Sequence, residues 1–151
     1  ALDLMYNAMD THLLNSTQWN YTASNRNDPA IGDGWNQEDL SVFSRDQQAN
    51  PADINSGGRA IEGFVRPYVR RTQGVLTGVK FDRASGVFEF TFDADPSIGA
   101  ATEIYLPSVQ YPDAFAIAAT GLEVQPSQTS PCVFLRATKA RTHTVTIKRA
   151  S

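Results

Sequence analysis

The chain has 151 residues, of which 41% are hydrophobic and 19% charged, with ten glycines. That is the composition of one or two small globular domains, and it excludes a charge-rich disordered chain or a collagen-like repeat. The formal net charge of -3 argues against a general polyanion binder, so no nucleic acid partner is expected. The single cysteine, Cys132, excludes an intrachain disulfide, a cysteine-rich zinc site and a CxxC redox centre. No run approaches the roughly 18 consecutive apolar residues of a membrane-spanning helix.

Charge and pattern divide the chain. Residues 1 to 60 carry eight acids against three bases, Arg26, Arg45 and Arg59, whereas residues 61 to 151 carry eight acids against ten bases. The expected boundary lies near Gly74. The first part opens on Leu2, Met5, Tyr6, Met9 and Leu13 at steps of three or four, with Asp3, Asn7 and Asp10 on the other face, which predicts an amphipathic helix packed on a core. No capping residue precedes Leu2, so the helix is expected to begin upstream. Thr17 to Thr22, rich in β-branched and aromatic residues, predicts a short strand. Ala23 to Asp33 is rich in Asn, Asp, Ser, Gly and Pro, a loop too long for a mere connector. Asn36 followed by Asp39 has the spacing of a capping box ahead of Leu40, Val42 and Phe43. Ile61, Phe64 and Val65 suggest one more helix, interrupted by Pro67.

Beyond Gly74 the period changes to two. Leu76 to Phe81, Val87 to Phe92, Thr102 to Leu106, Phe115 to Thr120, Cys132 to Ala137 and Thr142 to Lys148 predict short strands separated by turn residues. Six such strands at this spacing fit an antiparallel β-sandwich. The fold class is therefore α+β, with a helix-strand-loop-helix region ahead of a C-terminal sandwich.

Several residues are candidates for chemistry. Trp19 ends the predicted strand and opens the polar loop, where it either lies flat against a sugar ring or is a core or interface residue. Asp33, Trp35 and Asn36, within Gly32 to Leu40, combine an aromatic with carboxylate and amide on a glycine-framed loop, the mixture a sugar site requires. Turn and cap chemistry accounts for Asn36 and Asp39 equally well. Glycoside hydrolysis needs two carboxylates facing each other roughly 5 to 9.5 Å apart, and Asp33, Glu38 and Asp39 on one short segment do not supply that. No catalytic residue is therefore assigned within the chain. Asn25, Asn27, Asp28 and Asp33 do not have EF-hand spacing, and no metal site or cofactor is assigned. His12 and His143 are far apart and have no nucleophile motif nearby. Arg66, Arg70 and Arg71 are expected to pair with carboxylates.

Four segments carry a resemblance: GDGWNQEDLSVF (Gly32 to Phe43), RPYVRRTQG (Arg66 to Gly74), TEIYLPSVQYP (Thr102 to Pro112) and HTVTIKR (His143 to Arg149). In this order they resemble the C-terminal part of endoglycoceramidase-like enzymes of glycoside hydrolase family 5, in which a (β/α)8 barrel precedes a C-terminal β-sandwich. The resemblance implies that residues 1 to 73 are the C-terminal remnant of the barrel and residues 74 to 151 the sandwich. It also implies a retaining β-glycosidase acting on glycolipids, a glycosylceramide or a steryl glucoside. The two catalytic glutamates would lie on barrel strands upstream of Ala1, so the isolated chain is expected to be inactive. Trp19 matches the family's eighth-strand tryptophan that floors the sugar subsite, and Asp33, Trp35 and Asn36 match its DGWN loop. Val69 departs from the family, which has a second proline there. The implied partners are a glycolipid or other β-glycoside, the upstream barrel segment and, through apolar surface left on Leu2, Met9 and Leu13, a second copy of the chain. The contrasting expectation is a non-catalytic carbohydrate- or lipid-binding sandwich, which requires an exposed row of aromatics for which Tyr105, Tyr111 and Phe115 are the candidates.

Overall fold

The structure, a computed structural model, describes residues 1–28, 30, 38–126 and 131–150. Two compact units are present, one built from Ala1–Asn15 and Val65–Ser151, the other from Ser16–Phe64.

The larger unit is an antiparallel sandwich of eight strands: β1 (Tyr68–Arg71), β2 (Gly74–Asp82), β3 (Val87–Ala94), β4 (Thr102–Tyr105), β5 (Phe115–Ala118), β6 (Leu122–Pro126), β7 (Cys132–Ala137) and β8 (Thr142–Arg149). One sheet has the order β1-β4-β7-β6 and the other β2-β3-β8-β5. The alternation read from the sequence is the cause. Phe88, Phe90 and Phe92 on β3 face the partner sheet and are fully buried, with successive ring centroids 5.7 and 5.9 Å apart. Ile104, Leu135, Val145 and Ile147 complete the packed layer. All six expected strands are present.

Two further strands, β1 and β6, are the outer members of one sheet. An outer strand has a single neighbour and one partner row, so charge and proline are tolerated there, and where they occur the alternation signal fades. Arg70 and Arg71 lie in β1 and Pro126 closes β6.

The boundary expected at Gly74 is displaced for the same reason. β1 lies before Gly74 yet pairs with β4, with Tyr68 opposite Tyr105. Gly74 is no linker residue: it starts β2 opposite Ala94 at φ +139, where an added Cβ would overlap the Asp93 carbonyl oxygen. Between β1 and β2, Gln73 is 1% exposed and ties together β4, β7 and the loop ahead of β4. Its Nε2 donates to Ile98 O at 3.0 Å, its Oε1 accepts from Ala137 N at 2.8 Å, and its backbone N–H donates to Thr102 Oγ1 at 2.9 Å.

Helix α1 (Leu2–Thr11) also belongs to this unit; Leu2, Tyr6 and Met9 of the expected apolar face are only half-buried, and the polar face is engaged as well. The polar face, not the apolar one, carries its strongest contacts. Arg66, 6% exposed, donates to Asp3 at 2.6 Å, Asn7 at 2.6 Å and Asp10 at 3.0 Å, and its guanidinium lies 4.9 Å from the Phe81 ring centre. Residues 3, 7 and 10 fall on one helical stripe, so one planar guanidinium can collect all three acceptors. Leu4 and Met5 are exposed. The helix stops at Thr11 rather than continuing through Leu13, which takes φ +52 while Leu14 N bonds Met9 O at 3.0 Å.

The smaller unit has little regular structure: a 3₁₀ turn at Arg45–Gln47, capped by the Ser44 side chain, and helix α2 (Ile61–Phe64). The expected strand at 17–22 is an extended segment without ladder pairing. Its backbone meets the 40–42 segment through Val42 N to Asn20 O at 2.8 Å and Asn20 N to Leu40 O at 3.5 Å. Nor do residues 38–43 form the expected helical turn; the expected cap, Asn36, lies outside the described residues. Asp39 is instead committed to side-chain partners, and Phe43 bridges Gly58.

Candidate functional site

The smaller unit presents Trp19 to solvent at 69% exposure. A ring so exposed is no core residue of its unit. The Trp19–Asn20 peptide is cis, and Gln18 Nε2 donates to Trp19 O at 3.0 Å. Two residues on, Tyr21 packs against Phe43 with ring centres 5.6 Å apart, and Thr22 N donates to Ser41 Oγ at 3.1 Å.

The 39–43 segment that carries these contacts is itself held by several side chains. Asn25, fully buried, donates through Nδ2 to Asp39 Oδ1 at 2.9 Å and to Phe43 O at 2.8 Å. Arg59 pairs with the other Asp39 oxygen at 2.6 Å. Its guanidinium also reaches Ser41 O at 3.4 Å, Gln47 at 2.9 Å and Asn27 Oδ1 at 2.5 Å, while its backbone N–H donates to Val42 O at 2.7 Å. Asn27 Oδ1 further accepts from Ser44 Oγ at 2.8 Å. Arg26 and Asp46 close the perimeter at 2.9 Å.

This wiring decides what Asp39 can do. The Arg59 hydrogen bonds lower its pKa most, burial works against them, and Asn25 adds to the lowering, so the carboxyl is held below the usual carboxylate range. A carboxylate kept ionised with both oxygens occupied is a structural anchor and not a proton donor at neutral pH. Of the other expected site residues, Asp33, Trp35 and Asn36 lie outside the described residues. Among the described residues, no three His, Cys, Asp or Glu side chains come together as metal ligands. An open cavity of about 550 Å³ between α1 and β2 is lined by Asp3, Asp10, Lys80 and Asp82, but Asp3 and Asp10 already serve Arg66.

The three aromatics named for a sandwich binding face do not form an exposed row. Tyr111 is 4% exposed, its hydroxyl donates to Gly86 O at 3.2 Å, and burial pushes its pKa up to about 12 against the opposing Arg149 charge. Phe115 packs edge-on to it at 6.1 Å, and Tyr105 pairs with Tyr68 at 5.3 Å. The expected carboxylate partners of the arginines are present: Arg70 and Arg71 share Glu103 at 2.8 and 3.0 Å. Sequence reasoning missed Arg59 and Asn25. The available signal was that only three bases stand among eight acids in residues 1 to 60, so each base has carboxylates within reach.

The fold is that of an eight-strand antiparallel sandwich, with a second compact unit that carries the exposed Trp19. Residues 66–148 match the model of the glycoside hydrolase family 5 C-terminal domain. A glucosylceramidase from Rhizopus delemar is 30% identical over 123 residues, covering 73% of this chain and 18% of that protein. A glucosylceramidase from Cryptococcus neoformans is 30% identical over 71% of this chain. Among solved structures, Cryptococcus neoformans sterylglucosidase 1 is similar over 98% of this chain and 23% of its own, at 29% identity and a TM-score of 0.84. Endo-glycoceramidase II from Rhodococcus shares the fold at 23% identity and a TM-score of 0.57, over 74% of this chain. The chain belongs to glycoside hydrolase family 5, as a C-terminal part of the endoglycoceramidase-like kind. It spans less than a quarter of these relatives.

Proposed function

We propose that this chain is the C-terminal part of a retaining β-glycosidase acting on glycolipids, with a glycosylceramide or a steryl glucoside as substrate. Residues ahead of the sandwich represent the end of a (β/α)8 barrel. Trp19 supplies the apolar floor of the sugar subsite, Asp33, Trp35 and Asn36 shape the same site, and both catalytic glutamates come from the barrel segment upstream. What carries this reading is the likeness to sterylglucosidase 1 over 98% of the chain, which includes the smaller unit with Trp19 as well as the sandwich.

The test compares the isolated chain with the parent polypeptide on an aryl β-glucoside and a fluorescent glucosylceramide. The isolated chain is expected to show no turnover and the parent to hydrolyse at least one substrate. Trp19→Ala in the parent is expected to lower kcat/KM by about 10- to 100-fold, the loss of one stacking contact worth about 1.4 to 2.7 kcal/mol. Turnover by the isolated chain, or a Trp19→Ala parent with undiminished kcat/KM, overturns the proposal.

A further inference from the structure

We propose that Arg59 is the positioning residue of the Trp19 site, acting as a clamp on the Asp39–Val42 segment against which the tryptophan-bearing segment is held. The inference rests on the reading of Trp19 as a sugar-stacking residue, and the geometry beneath it stands independently. Arg59 grips this segment at three places: the Asp39 carboxylate at 2.6 Å, Ser41 O at 3.4 Å, and Val42 O through its own backbone N–H at 2.7 Å. The same segment holds the residues after Trp19, through Asn20 O to Val42 N at 2.8 Å and Thr22 N to Ser41 Oγ at 3.1 Å. Every link lies inside the smaller unit, whose described residues hold only a 3₁₀ turn and one four-residue helix as regular structure.

A 69% exposed ring makes too few contacts of its own to fix its orientation, so its backbone must be fixed instead. Arginine suits this task because its planar fork serves Asp39, Asn27 and Gln47 in different directions at once. Lysine retains the charge without the fork. Asn25 braces Asp39 from the opposite side and keeps the carboxylate in place when Arg59 is replaced.

Two measurements separate this proposal from the reading beneath it. In the chain carrying Trp35→Phe, Trp19 is the sole tryptophan and reports on its own surroundings. Arg59→Met is expected to shift its emission and raise its acrylamide quenching, with β-sheet circular dichroism unchanged because the sandwich belongs to the other unit. Arg59→Lys is expected to fall between the two. In the parent enzyme, Arg59→Met is expected to lower kcat/KM by about 10- to 100-fold, as a displaced contact of about 1 Å does. Combined with Trp19→Ala, it should cost nothing further, because the residue it positions is gone. Unchanged Trp19 emission in Arg59→Met overturns the clamp whatever the activity. A shifted emission with a Trp19→Ala parent that retains full kcat/KM leaves the geometry but overturns the assignment to a sugar site. Additive losses for the two substitutions overturn the claim that Arg59 acts through Trp19.

Discussion

Arg66→Met gives the sharpest test of how α1 is held. Methionine keeps most of the apolar stem and removes the guanidinium that serves Asp3, Asn7 and Asp10. Breaking a buried pair from one side costs about 3 to 5 kcal/mol because an uncompensated charge is left behind. The stranded carboxylates are about a third and a quarter exposed, so water recovers part of that and about 3 kcal/mol is expected. For a unit of this size that corresponds to roughly 10 to 20 °C in melting temperature. Asp10→Asn should behave differently. Burial is the largest influence and raises the Asp10 pKa, the Arg66 hydrogen bond and charge oppose it, and the Asp3 charge adds to the rise, so on balance ionisation in the folded state is disfavoured. A carboxyl whose folded pKa is raised contributes stability below its ordinary value and loses it as pH rises through the folded value. Asp10→Asn should therefore cost less than about 1 kcal/mol at neutral pH and flatten the decline in stability above the ordinary carboxylate pKa. Thermal denaturation followed by circular dichroism at several pH values reads both effects. An Arg66→Met chain melting within about 2 °C of the unaltered chain would refute the reasoning.

Four other substitutions probe the sandwich. Gly74→Ala combines φ +139 with overlap on the Asp93 carbonyl and should cost more than about 2 kcal/mol, whereas Gly99→Ala, with open space around it, should be neutral in the same urea titration. Gln73→Leu orphans Ile98 O and Ala137 N in the interior and should cost about 2 to 4 kcal/mol; a loss under about 1 kcal/mol would show that water replaces the amide. His143→Leu should change stability by less than about 1 kcal/mol, since the buried Nε2 has no partner among the described residues and the ring bonds Thr120 O at 3.3 Å. A loss above about 2 kcal/mol on chemical denaturation would mean that Nε2 has a buried partner after all.

The sandwich was readable because it depends on a local rule. Alternation along Val87 to Phe92 and Thr142 to Lys148 marks which side chains face inward, and a two-residue period survives wherever a strand has neighbours on both sides. It failed at β1 and β6, outer strands interrupted by Arg70, Arg71 and Pro126, whereas the outer strands β2 and β5, without such residues, kept enough of it to be read. Trp19 stood out for its type and its place before a polar loop. Its support did not, because Asn25, Asp39 and Arg59 are 14 and 20 residues apart and meet only when the loop closes.

The sequence by itself determined the inward faces of six of the eight strands and the family, and it singled out Trp19 as a candidate. Each depends on residue type at short spacing or on ordered motifs along one chain. Only the tertiary structure decided that α1 docks by its polar stripe, that Gly74 is a close approach between strands, and that Arg59 secures the Trp19 segment. Those outcomes depend on which distant group satisfies a buried charge or a backbone carbonyl, and helical periodicity marks a face without saying whether an arginine or an apolar core will meet it.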